Sequence, residues 1–252
     1  LLSAATLAYE VLLVRVFAIE QFHHFAYMAV GVAMLGFGAA GTLVAMAGRL
    51  PLHKAGRWFA FAAVATAVAL IASPALSHTV SLDPTQIAWD LGQWVRLGLV
   101  YLLLSLPFGL AAGAILLALL LESERPGLIY GASFLGSGLG GLLATAALAW
   151  FLPERALAVP AVLAAPASLL IPSADFRLPA GVGWTAVAAA LAVLMHPLWR
   201  LDVTPYKGLP QVEAFPDARR VAEHASPVGW VVAVEAPAFR HAPGLSLGYR
   251  GE

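Results

Sequence analysis

The first twenty residues, LLSAATLAYEVLLVRVFAIE, constrain the chain more than any other stretch. A helix needs about 20 largely apolar residues to cross the hydrocarbon of a bilayer, and this run supplies them. It also carries Glu10 and Arg15 in its middle. An ionisable side chain at the centre of a membrane helix costs roughly 2.5–3.5 kcal/mol on insertion scales. A sequence holding two of them must shelter them against other helices, so this segment predicts a bundle around itself.

The remainder supplies candidates for that bundle. Of 252 residues, 61% are hydrophobic and 11% charged, with mean hydropathy +0.84. A soluble domain carries about 25% charged residues. Formal net charge is zero, which removes the electrostatic case for nucleic acid. Cysteine is absent, so disulfides, thiol nucleophiles and Cys-ligated metals are excluded.

Apolar runs predict an all-α polytopic transmembrane bundle of about seven helices, with spans near 1–19, 25–48, 58–76, 95–121, 128–152, 156–171 and 180–199. The link between the first two spans, Glu20 to His24, is short, and these spans read as antiparallel neighbours. A basic loop (Arg49, Lys54, Arg57) follows the second. Residues 77–94 read as an interfacial loop, with a short amphipathic helix opening at Asp83-Pro84 and with Trp89 and Trp94 at headgroup level. Pro107 predicts a kink in the fourth span. The sixth span contains Pro160 and Pro166, and a loop follows at 173–179.

Charge density marks a boundary near Trp199. Residues 1–199 hold eight Lys/Arg and eight Asp/Glu, whereas 200–252 hold six of each. Residues 1–199 are therefore the helical domain, and 200–252 read as a linker and the truncated start of a β-containing soluble domain. In that tail, 217–224 predict a short helix and 230–235 a strand after the turn Ser226-Pro227-Val228-Gly229. The start at Leu1 and the stop at Glu252 read as the ends of a fragment. Seven spans put the tail opposite the chain's start. Loop Lys/Arg are five on one side against four on the other, which leaves orientation open.

The pattern G-x-G-x-x-G occurs at Gly36, Gly38, Gly41 and again at Gly136, Gly138, Gly141. A dinucleotide site needs a strand before it; here both lie inside apolar runs, and close helix packing is the better reading. Glu10 and Arg15 are five residues apart, or about 140° around a helix, so each needs its own partner. His23, His24, Tyr27, Tyr101, Tyr130 and Ser133 are the candidates. Glu10, Arg15, His24 and Tyr130 form the predicted intramembrane polar set. No catalytic residue, cofactor site or metal site is read from the chain; His78 and His196 stand alone as ordinary interface histidines.

Ser3-Ala4-Ala5 followed by Tyr9-Glu10 and then Arg15 resembles the opening of bacterial multi-pass spermidine-synthase-like proteins. His24-Phe25-Ala26, Leu35 to Ala39, Leu106-Pro107-Phe108 and Tyr130-Gly131-Ala132 are similar to their later spans. Pro205 to Leu209, Ser226 to Gly229 and Ala242 to Leu247 resemble the lead-in to their aminopropyltransferase-like domain. Ser133 stands where that family often has an acid. The resemblance implies a multi-pass protein of the bacterial inner membrane, with the bilayer as partner and a homo-oligomer or membrane complex as further possibilities. It implies a domain anchoring, and supplying substrate to, a transferase domain beyond Glu252. Decarboxylated S-adenosylmethionine is implied for that domain only. Two other readings are a transporter for a cationic or amphiphilic solute with Glu10 as counter-ion, and a non-catalytic subunit of a membrane complex.

Overall fold

The structure, a computed structural model, describes residues 1–21, 23–47, 55–170, 180–196 and 198–239. Five long helices dominate it: α1 (Leu2–Glu20), α2 (Tyr27–Met46), α3 (Ala55–Ser77), α4 (Leu91–Leu121) and α5 (Pro126–Trp150). All five are long and apolar enough to cross a membrane. Short pieces follow: α6 (Pro153–Ala156), α7 (Val159–Ala164), a 3-10 turn (Ala165–Leu170) and α8 (Ala180–Met195). The tail holds α9 (Gly208–Glu213) and the strands β1 (Arg219–Ala225) and β2 (Trp230–Glu235).

α1 occupies the centre. Its apolar window is 61% buried, against 22% for α5, which lies at the periphery. Tyr9 and Leu12 of α1 are fully buried, as are Leu70, Leu104 and Phe108 of its neighbours, and the Tyr9 ring meets Phe108 at 5.3 Å. Small residues set how closely the neighbours approach. A Cβ at Gly140 of α5 would fall 2.1 Å from the Ala4 carbonyl oxygen, and one at Gly36 of α2 would fall 2.5 Å from the Ser105 carbonyl oxygen of α4. The glycine patterns therefore sit within α2 and α5 and serve packing at these two positions. Gly38, Gly41 and Gly138 meet nothing within 4 Å. Outward, α2 presents Met34, Leu43 and Met46, and α5 presents Phe134, Leu135, Leu142 and Trp150.

Contacts fix the helix directions. Ser3 and Ala4 of α1 meet Ser133, Gly136 and Gly140 of α5, and Leu7 meets Gly141, so the two helices run the same way. Gly31 meets Tyr101 and Gly36 meets Ser105 and Gly109, so α2 and α4 also run together. The end of α1, the start of α2, the end of α3 and the start of α4 consequently gather at one end.

Several boundaries differ from the sequence reading. α4 opens at Leu91, four residues earlier than expected, because Asp90 accepts from Gly92 N at 2.8 Å as an N-cap. Asp83 caps only a 3-10 turn (Pro84–Gln86), accepting from Thr85 N at 3.0 Å. α3 and α4 continue through Pro74 and Pro107. The sixth apolar run is broken into α6, α7 and the 3-10 turn, with Pro160 and Pro166 among its punctuation. α8 has 16 residues, fewer than the span expected there.

The helix expected over 217–224 is corrected to a strand. Asp217 has φ 59°, a left-handed backbone that stops a helix from running through it after Pro216. β1 then pairs antiparallel with β2, Arg219 opposite Glu235 and Ala225 opposite Trp230, with an irregularity between Arg220 and Ala222. The turn is closed by Ser226 N donating to the Gly229 carbonyl at 2.7 Å. A two-stranded hairpin is marginal alone, and side-chain pairs support it: Arg219 donates to Glu235 at 2.9 Å, and Trp230 Nε1 donates to Glu223 at 2.8 Å. Arg220 pairs with Glu213 of α9. The basic loop residues Arg49 and Lys54, the loop 173–179 and the 242–247 motif lie outside the described residues.

Candidate functional site

The site lies where α1 ends. The last four carbonyls of a helix lack partners within it and need donors from elsewhere. In α1 all four are supplied. Gln21 N donates to Phe17 O at 2.9 Å. Lys207 Nζ donates to Ala18 O at 2.6 Å and to Ile19 O at 2.8 Å. Thr204 N donates to Glu20 O at 2.8 Å. Three of these acceptors are thus satisfied by a segment that lies beyond the last long helix in the chain. Lys207 also places a cation on the negative end of the helix dipole.

Glu20 is itself an anomaly. An acid at a helix C-terminus faces like charge, and this one is only 6% exposed. The tail and α3 answer it. Asp202 N donates to Glu20 Oε1 at 3.2 Å, and His78 Nε2 lies 3.4 Å from the same oxygen. Among the described residues, Glu20 Oε2 accepts no hydrogen bond. His78 follows α3 directly, and its ring stacks on Trp199 with centroids 5.8 Å apart and planes 19° apart. Burial holds the His78 imidazole below its usual range, with Asp202 opposing that effect. Burial also lowers the Lys207 ammonium, and Glu20 opposes it.

Beside these groups lies a cavity of about 240 Å³. Glu20, Gln21, His78 and Asp202, with Ser77, Thr79 and Ser81, supply its polar lining. Leu13, Val16, Val100, Leu104 and Leu157 form its apolar floor. No lysine or arginine is among its lining residues. The arrangement can hold and orient a small polar group.

The residues singled out from sequence lie elsewhere. Glu10 and Arg15 are half-buried, and neither forms a hydrogen bond or ion pair with another described residue. Arg15 Nε is buried without a partner among the described residues. Tyr130 is exposed on α5, while Ser133, named as a possible partner of Glu10, instead shares a 2.8 Å hydrogen bond with Ser3. The backbone of residues 23–26 forms a 3-10 turn, and the side chains of His23 and His24 lie outside the described residues. Among the described residues, no group of three or more His, Cys, Asp or Glu is placed to hold a metal ion.

Sequence reasoning missed Glu20, His78, Asp202 and Lys207. One signal was present: an acid closing an apolar helix needs a cation or donor brought from outside. The identity of that donor was not readable from local sequence.

No protein-family model, curated protein or solved structure matches the chain. Fold and site together define a mostly helical protein with, among the described residues, five helices long and apolar enough to cross a membrane, and a tail secured to the end of its central helix.

Proposed function

We propose that this chain is an integral membrane domain that holds a soluble aminopropyltransferase-like domain at one membrane face. The observation that carries the anchoring role is the attachment of residues 202–207 to the end of α1. Asp202, Thr204 and Lys207 bind that helix terminus immediately before α9 and the hairpin begin. A domain continuing from the hairpin is thereby held in register with the helices rather than on a free linker.

Membrane embedding is supported by helix length and by the outward apolar faces of α2 and α5. Soluble monomers rarely expose contiguous apolar patches beyond a few hundred Å². The inner membrane of a bacterium is the location, and the bilayer is the principal partner. The transferase assignment rests on the resemblance of Tyr9-Glu10, Arg15 and the tail motifs. Decarboxylated S-adenosylmethionine would be used by the downstream domain, not by these helices.

Two experiments test this reading. The coding frame beyond Glu252 should encode a glycine-rich strand–helix turn and an acidic strand end; their absence overturns the transferase assignment. Alkaline carbonate should leave the protein in the membrane pellet; release into the supernatant overturns the embedding.

A further inference from the structure

α1 keeps one stripe that its own bundle does not fill. Between Leu7 and Ala18 the buried residues are Ala8, Tyr9, Leu12, Leu13 and Val16, and the others stay partly open. At about 100° per residue, Leu7, Val11, Val14 and Ala18 fall within about 60° of the helix circumference. Glu10 borders this apolar stripe on one side and Arg15 on the other, each about 70° from its centre. Alternating steps of four and three residues are the heptad seam along which two helices pack side by side.

Both borders carry unmet charge. Among the described residues neither side chain forms an ion pair, and Arg15 Nε is buried without an acceptor. The two cannot answer one another, because they lie about 140° apart on the helix. Charges inside a membrane pair with one another or face a water-filled cavity. The stripe therefore calls for a partner with a base opposite Glu10 and an acid opposite Arg15.

A second copy of the chain supplies both in one register. Across a parallel seam, two-fold symmetry sets the left border of each helix against the right border of the other. Glu10 then faces the partner's Arg15, and Arg15 faces the partner's Glu10. The offset of five residues is about 7.5 Å along the axis. Helical side chains lean toward the N-terminus, which carries the long arginine toward the level of the glutamate. An antiparallel pair would set Glu10 against the partner's Glu10, like charge against like.

We propose that α1 pairs in parallel with α1 of a second copy, with Leu7, Val11, Val14 and Ala18 on the seam and Glu10 and Arg15 joined reciprocally across it. The pairing rests on the membrane embedding proposed above and is independent of the transferase assignment. It places both tails at the same membrane face.

Disulfide trapping of the full chain in membranes tests it, since the chain has no cysteine of its own. Val14→Cys should give a disulfide-linked dimer under mild oxidation, and Leu142→Cys, exposed on α5, should not. In the Val14→Cys background, Glu10→Arg sets base against base and Arg15→Glu sets acid against acid. Each should lower the dimer yield at least about fivefold. Coexpressing these two charge variants under different tags restores both opposite pairs, and a mixed-tag dimer should return to the parent yield. That recovery separates lost pairing from a lost fold. A membrane-pelleted protein that gives no Val14→Cys dimer overturns the pairing. So does unchanged yield in both charge variants, no recovery on coexpression, or a Val14→Cys adduct to a different protein in place of the dimer. Release by alkaline carbonate overturns the embedding, and this proposal with it.

Discussion

The ammonium of Lys207 reaches across 189 residues of sequence to the carbonyl of Ala18, at 2.6 Å, at the C-terminus of the central helix. It shares its protons with Ile19 O at 2.8 Å. Hydrogen bonds to a charged partner contribute about 1.5–3 kcal/mol each when their loss leaves an unsatisfied group. Lys207→Met should therefore destabilise the fold by about 2 kcal/mol, and Lys207→Arg by less, because the guanidinium keeps the charge and the donors. Denaturation in detergent reads the stability. Limited proteolysis after residue 200 should show faster cleavage in Lys207→Met.

The glycines separate by what surrounds them. Gly140→Ala would set a Cβ 2.1 Å from Ala4 O, a backbone atom that cannot step aside without moving α5. It should cost about 2–4 kcal/mol, comparable to severe overpacking. Gly38→Ala meets nothing within 4 Å. It should be neutral or stabilising by up to about 1 kcal/mol, since alanine is the better helix former. Equal effects in thermal melts would contradict this packing of α1 against α5.

Ser3 and Ser133 lie with hydroxyl oxygens 2.8 Å apart across the same seam. Because the chain has no cysteine, Ser3→Cys with Ser133→Cys gives a clean pair. Oxidation should produce a disulfide that joins fragments after cleavage between α4 and α5. Ser3→Cys with Gly138→Cys, whose α5 partner faces open space, should not crosslink.

His78 gives a pH dependence whose sign is fixed by its surroundings. Its folded-state value lies below the ordinary 6.5, so the folded protein holds the proton less tightly than the unfolded chain. The neutral ring's contribution is complete above that value and is lost as pH falls through the lower folded value. Glu20 and Asp202 face the ring, and Trp199 stacks on it. Melting temperature should fall on acidification from about pH 7 to about pH 5, and His78→Gln should flatten part of that fall. A steeper fall in His78→Gln would contradict the assignment.

The long helices were legible because apolar runs of this length leave few alternatives; α1, α2, α3, α4 and α5 fall close to their expected limits. Asp90 could have given the start of α4, since an acid before a helical run is an N-cap signal. The prolines at 160 and 166 warned of the broken sixth run. The β1 strand was hidden, because Arg219 to His224 carry no strand pattern of their own and gain one from pairing with Trp230–Glu235. The site was hidden for a stronger reason. Glu10 and Arg15 drew attention as charges inside an apolar run, yet the group of contacts forms at Glu20, whose partners lie 58 and 182 residues away in His78 and Asp202. Long-range pairing of this kind leaves no local periodicity.

The tail rests at the same end as the close of α1, with the length of α4 between that end and the α4–α5 turn. Thr85 donates to the Tyr206 hydroxyl at 3.4 Å, so both mark the first end. Glu124 lies in the α4–α5 turn, past the 31 residues of α4, which rise about 1.5 Å each. Single cysteines at Thr85, Tyr206 and Glu124 in sealed vesicles, probed with an impermeant maleimide, read the arrangement directly. Positions 85 and 206 should label from one side and position 124 only from the other. Labelling of position 206 together with 124, or of all three from a single side, would contradict it.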